Sequence, residues 1–126
     1  NTPIIFVEIG STEKEWKNEE AGVVVANAVF DAINKNEEQE FCYFGVGGGH
    51  YAPKFTKLAL EKNMAFGHML PKYRADSIAE DTFKQAIEKN VEKLKALVLD
   101  WKGLNKEQRD KILSLAEKFS VEVVRV

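Results

Sequence analysis

This 126-residue sequence has little cysteine, histidine or proline and no long apolar run: it holds one Cys, two His and three Pro. The single Cys42 excludes an internal disulfide framework and suits a reducing compartment. No apolar stretch approaches the roughly 18 residues that a membrane-spanning helix needs, so no membrane is expected among its partners. Basic charge is scarce as well. The 18 Lys+Arg against 20 Asp+Glu leave a formal net charge of −2, so a broad cationic nucleic-acid footprint is not expected and any such surface must be local. What is present, 44% apolar and 30% charged residues, is the profile of a globular chain with one core.

The sequence opens on Asn1, which is not a natural first residue, and Thr2-Pro3 runs almost at once into apolar residues. No charged segment followed by an apolar leader precedes them. Residues 1–126 are therefore expected to form a single α/β domain or half-domain, cut from a longer protein and residing in the cytoplasm.

Short apolar runs alternate with amphipathic stretches. Ile4 to Ile9 reads as a buried strand closed by Gly10, with Thr12 and Glu15 at capping-box spacing just beyond. Ala21, Val25, Ala28, Val29, Ala32 and Ile33 recur at helical spacing. Phe41 to Phe44 is a second strand, and it runs into Gly45-Val46-Gly47-Gly48-Gly49-His50. Pro53 opens a short helix, and Met64 to Met69 is a third strand, followed by a polar loop. Ser77 is placed to cap a helix whose face is Ala79, Phe83, Ile87, Val91 and Leu94. Ala96 to Leu99 is a fourth strand, Asn105 caps a last helix with Gln108 three residues on, and Val121 to Val126 is a fifth strand. Such alternation implies a mostly parallel five-stranded sheet with helices on both faces. Ligands bind such sheets beyond the carboxyl ends of the strands. That edge collects the loops Gly10–Thr12, Gly45–Tyr51, Leu70–Arg74 and Asp100–Gly103.

Within those loops Gly47-Gly48-Gly49 is the sharpest feature. Glycines let backbone approach a ligand closely, and N–H groups ahead of a helix can face an anion or a developing oxyanion. The string lacks the Lys-Ser/Thr of a phosphate-binding P-loop, and Gly47-x-Gly49-x-x-Ala52 meets the dinucleotide fingerprint only formally. A tight turn between strand and helix accounts for it equally. His50 suits a general base or a metal ligand. His68 ends a strand at the same edge, and the two histidines are candidate metal ligands, with Glu8 or Asp100 as a further donor. His68 taken alone reads better as a satisfied, partly buried side chain. Glu8 is a carboxylate in an otherwise apolar strand, where an unpaired charge is costly, so it needs a partner or a role. Cys42 reads as inert core, and helix capping explains Ser11 and Thr12. Lys54, Lys57, Lys72, Arg74 and Lys102 interleave with Tyr51, Tyr73 and Trp101, a composition suited to a nucleotide or a single-stranded nucleic-acid end as well as to an ordinary solvated surface.

Four blocks then stand in order: Val7-Glu8-Ile9-Gly10-Ser11-Thr12-Glu13, Gly47-Gly48-Gly49-His50-Tyr51-Ala52-Pro53-Lys54, Gly67-His68-Met69-Leu70-Pro71-Lys72-Tyr73, and Leu99-Asp100-Trp101-Lys102-Gly103-Leu104. Together they resemble the archaeal and plant-type D-aminoacyl-tRNA deacylases over nearly the whole chain. Members usually carry an additional N-terminal half with its own histidine-containing motifs, so the chain looks like a carboxyl-terminal half. The resemblance implies hydrolysis of the ester between a D-amino acid and the tRNA 3′ end, with tRNA as partner and zinc as a candidate cofactor. It also implies a three-layer architecture similar to phosphorylases and peptidyl-tRNA hydrolase. The expected roles are Gly47, Gly48 and Gly49 cradling the carbonyl or terminal phosphate, His50 orienting water or metal, and Glu8 orienting His50. Tyr51, Lys54, Lys72 and Tyr73 would hold the terminal adenosine and its phosphates. Two other classes fit the same residues: a phosphorylase-like or nucleotidase-like enzyme acting on a small nucleoside or nucleotide, and a non-catalytic module gripping an RNA end.

Overall fold

A computed structural model describes residues 6–34 and 39–126, which divide into two compact units, Asn1–Glu38 and Gln39–Val126. The first unit contributes a short helix α1 (Glu13–Trp16) and a long one, α2 (Glu19–Asn34). Glu15 accepts a hydrogen bond from the Thr12 backbone N–H at 3.0 Å, closing the expected turn ahead of α1. None of the residues in either helix is buried.

The second unit is built as β1 (Phe41–Val46), α3 (Pro53–Lys62), β2 (Phe66–Leu70), α4 (Lys72–Ala75), α5 (Glu80–Glu88), β3 (Lys93–Leu99), α6 (Lys106–Lys118) and β4 (Val123–Arg125). All pairings are parallel and the strand order is β2-β1-β3-β4. The expected parallel α/β sheet is therefore present, with four strands rather than five among the described residues. The missing strand is the one expected over residues 4–9. Its first two residues lie outside the described residues, and Phe6, Val7, Glu8 and Ile9 form no strand. An apolar run supplies propensity, but a strand exists only where a neighbour takes its backbone groups. Glu8 is accordingly exposed on irregular backbone, not held inside a strand as expected.

Register explains the layers. Phe44 and Val46 pair with Leu97 and Leu99, and all four are at most 2% exposed. They form one core with Phe83 of α5, Ile112 and Ala116 of α6, Ala75 of α4, and Leu104. On the alternate residues the opposite face carries Gly45 opposite Val98. A Cβ on Gly45 would stand 3.1 Å from the Phe55 ring, so glycine lets α3 lie close against that face. Helices thus cover both faces, as a buried parallel sheet requires.

Two local expectations shift. Asn105 and Gln108 do form a capping box, with Gln108 N donating to Asn105 Oδ1 at 2.8 Å and Asn105 N donating to Gln108 Oε1 at 3.0 Å. The helix expected after Ser77, however, is capped by Ala79 without a side-chain bond, and the stretch read as loop contains α4. α4 has no apolar repeat of its own. It is fixed from outside by Gln108, whose Nε2 donates to the Lys72 carbonyl at 3.2 Å and to Asp76 Oδ2 at 2.8 Å.

Candidate active site

The strand order places a crevice. From β1 the chain leaves to pair with β2 on one side, and from β3 it leaves to pair with β4 on the other. The loop after β1 feeds α3 on one face, and the loop after β3 feeds α6 on the opposite face. Between two strands whose connections diverge in this way, the carboxyl ends are left uncovered and can receive a ligand. The glycine string leaves β1 at this point and Asp100 leaves β3.

Asp100 is the foundation. It is 7% exposed, and its backbone N–H donates to the Val46 carbonyl at 2.9 Å. Its Oδ1 accepts from Lys54 Nζ at 2.5 Å and from the Gly103 N–H at 3.1 Å. Lys54 also donates to the Val126 carbonyl at 3.2 Å. Gly47, at φ +115°, lies directly against this carboxylate: a Cβ there would come within 2.9 Å of Asp100 Cβ. A charge this deeply buried persists only with an ionic partner and hydrogen bonds, and Asp100 has both.

The glycine loop is held from the other side by β2. Gly47 N donates to the Leu70 carbonyl at 2.8 Å and Lys72 N to the Gly48 carbonyl at 2.9 Å. The N–H groups of Gly48, Gly49 and His50 take no partner within this unit. Ala52, the residue before α3, sits in the left-handed region at φ 44° and offers no capping side chain, so the first N–H groups of α3 also remain available. Free backbone donors ahead of a helix N-terminus favour an anion or a developing oxyanion. A pocket of about 280 Å³ lies alongside, walled by Gly47, Gly49 and His50 from one loop and by Met69, Pro71 and Tyr73 from the other.

Of the residues singled out in the sequence, Gly47, Gly49, His50 and Tyr73 meet at this pocket, and Gly48 and Lys72 pin its two walls together. His50 is exposed and makes an edge contact with Tyr51, ring centroids 5.4 Å apart. Tyr51 projects into solvent at 89% exposure. Lys54, expected on the substrate, is instead engaged with Asp100. Glu8 belongs to the other unit. Cys42 is buried at the start of β1, and burial, with the Glu92 charge adding to it, pushes its thiol pKa up, so it is no nucleophile. Asp100 is the residue whose importance the sequence understated: an acid at a strand exit is visible, but its partners lie in another loop and another helix.

The donor set does not suit zinc. Among the described residues no group of three or more His, Cys, Asp or Glu is arranged to hold a metal ion. His68 is half-buried on β2, and its Nε2 lies 2.9 Å from the Lys89 carbonyl. A carbonyl only accepts, so that nitrogen carries the proton and is not a free ligand. We derive no step through a metal.

Comparison with known proteins follows the same blocks. Residues 1–124 match the family model described as D-aminoacyl-tRNA deacylase. A D-aminoacyl-tRNA deacylase of Thermococcus onnurineus is 43% identical over 99% of this chain and 46% of its own length. That of Methanocaldococcus jannaschii is 45% identical over 98% of this chain and 49% of its own. The crystal structure of a conserved protein of unknown function superposes with a TM-score of 0.79 at 34% identity, covering 92% of this chain and 40% of that one. The chain thus spans about half the length of the curated relatives it matches.

Proposed function

The chain belongs to the D-aminoacyl-tRNA deacylase family, and on that premise we propose that the protein carrying it hydrolyses the ester between a D-amino acid and the 3′ end of tRNA. The products are the free D-amino acid and reusable tRNA. The observation that carries this reading is the row of unpartnered N–H groups at Gly48–His50 beside the His50–Tyr73 pocket. An aminoacyl ester is already activated, so a held geometry, a positioned water and stabilisation of the tetrahedral oxyanion suffice for hydrolysis.

In this mechanism the ester carbonyl lies against the N–H groups of Gly48 and Gly49. Water adds to the carbonyl carbon and His50 accepts its proton. The same histidine returns a proton to the departing ribose oxygen as the tetrahedral intermediate collapses. Tyr73 and Tyr51 offer faces for the terminal adenosine, and Lys72 offers charge for its phosphate. Lys54 acts indirectly: paired with Asp100, it fixes the start of α3 and thus the loop. Completion of the site by residues outside this chain belongs to the proposal, since the relatives are about twice as long; a cytoplasmic location and zinc held by ligands from elsewhere belong to it too. Among the described residues no helix is long and apolar enough to cross a membrane.

The test is deacylation of D-tyrosyl-tRNA and of L-tyrosyl-tRNA by the complete protein, with and without added zinc. Turnover of the D-ester with the L-ester spared is the expected result. Turnover of small nucleotides without any tRNA dependence would replace the reading with a nucleotide enzyme, and tight RNA binding with no hydrolysis would replace it with a binding module.

A further inference from the structure

The positive charge that the chain lacks overall gathers next to the glycine loop. The Asp100–Lys54 pair borders two cavities. Gly47, which lies against Asp100, lines the His50 pocket, while Lys54 lines an open cleft of about 420 Å³ shared with Trp101, Lys102, Arg125 and Val126. Trp101 is fixed there by its own backbone: its N–H donates to the Val126 carbonyl at 3.1 Å, and its carbonyl accepts from Arg109 Nη1 at 2.9 Å. Two guanidinium groups lie over its ring, Arg109 at 4.6 Å and Arg125 at 4.2 Å from the centroid. A guanidinium stacked on an indole is held in one orientation; Arg109 spends one in-plane donor on the Trp101 carbonyl. Asp100 neutralises Lys54, but Lys102, Arg109 and Arg125 have no carboxylate partner within this unit.

We propose that this cleft is a phosphodiester subsite, taking the single-stranded RNA that leads up to the ester held at the glycine loop. The inference rests on the deacylase reading and adds where the strand lies. Two uncompensated cations along an open cleft, Lys102 and Arg125, with Arg109 stacked behind them on the Trp101 ring, in a chain of net charge −2, match successive phosphates better than a single small anion. Pre-oriented guanidinium forks match phosphate oxygens in pairs. The cleft has the volume of a nucleotide-sized ligand. Its contact with the glycine loop through Lys54 and Asp100 lets one strand occupy both cavities, its last nucleotide at His50 and the preceding phosphates at Lys102 and Arg125. Such contacts position the RNA without reading its sequence.

The test uses the complete protein and a short labelled single-stranded RNA carrying the tRNA 3′-end sequence, not aminoacylated, with affinity read by fluorescence anisotropy across a salt series. R125A and K102A are each expected to weaken binding about tenfold and to flatten the log–log salt dependence by about 0.7, one phosphate contact. In the deacylation assay the same loss appears in KM. R125K keeps the charge and should restore the salt slope, yet it binds more weakly than the parent because an ammonium neither forks nor stacks as a guanidinium does. If the parent binds RNA and hydrolyses the D-ester while R125A, R125K and K102A match it in affinity and slope, the subsite is overturned and the deacylase reading stands. If the variants lose RNA affinity but no form hydrolyses the D-ester, the deacylase reading falls and the subsite stands. Inorganic phosphate that binds as tightly as the RNA would make this a free-anion site and overturn the proposal.

Discussion

Two loops leave the crevice between β1 and β3, and they are opposite in kind. The one after β1 leaves the N–H groups of Gly48, Gly49 and His50 without a partner in this unit and the His50 ring exposed. The one after β3 turns inward: Asp100 and Leu104 are buried, and Oδ1 of Asp100 accepts from Lys54 and Gly103. The same topological position thus supplies a working wall and the support beneath it. The working residues are exposed and contiguous in sequence. The supporting ones are buried and come together only in the fold.

The comparison breaks most visibly at His50. H50A should lower the rate of D-aminoacyl-tRNA hydrolysis by about 10²–10⁴-fold, the usual span for removing a general acid–base group. Its melting temperature should stay with the parent, because the ring is exposed and packs edge-on against the also exposed Tyr51. A variant that keeps the parental rate would remove the loop after β1 from the chemistry.

Asp100 should behave in the reverse way, losing stability and activity together. D100A removes the carboxylate acceptor of Lys54 and of the Gly103 N–H, leaving them the Val126 and Asp100 carbonyls. The expected cost is about 1–3 kcal/mol, read from urea denaturation. The Lys54 side chain is 37% exposed and its ammonium can turn to water, which places the cost in the lower part of that range. D100N keeps an oxygen for Gly103 and should lose less. A D100A protein as stable as the parent, with its activity gone, would move Asp100 from support to chemistry.

The two outer glycines of the string separate the same roles at the level of one methyl group. Gly47 has φ +115° and no room, since a Cβ meets Asp100 at 2.9 Å. Gly49 has nothing within 4 Å of that position. G47A should therefore cost about 1–3 kcal/mol from backbone strain and displacement of Asp100, and G49A should stay within about 0.5 kcal/mol of the parent. Equal melting temperatures for the two variants would mean that the loop is not seated on Asp100.

Much of the second unit was legible because local signals and tertiary demand agree there. The strand cores at 41–44 and 96–99, which the fold extends to Phe41–Val46 and Lys93–Leu99, the Pro53 start of α3 and the Asn105–Gln108 box are all marked by residues that also pack or bond as expected. The glycine string with His50 was legible as a loop at a strand's carboxyl end. The segment at 4–9 misled because apolar content gives no information about a pairing partner. α4 was missed because Lys72, Tyr73 and Arg74 carry no helical stripe and the turn is held by Gln108, 36 residues away from Lys72. Lys54 was assigned to the substrate for a similar reason: its acid is 46 residues distant, and charge alone does not reveal which lysine is already paired.

The smallest expected effect lies on β1, the strand that leads into the glycine loop and His50. Cys42 opens β1, is 1% exposed, and lies 3.6 Å from the Glu92 carbonyl. Burial, and after it the Glu92 carboxylate, raises its pKa in the folded state above the value the unfolded chain has. An acid whose pKa is raised by folding costs nothing below the unfolded pKa, about 8.5. As pH rises past that value the unfolded chain ionises first, so stability falls until the folded thiol ionises too. Iodoacetamide should accordingly alkylate the native protein far more slowly than the urea-unfolded chain between pH 8 and 10, roughly where free thiols ionise. Rapid native alkylation at pH 8, about half a unit below that ordinary pKa, would show that the amino end of β1 opens readily. In that case the difference between a buried support and an exposed working loop would not extend along the strand.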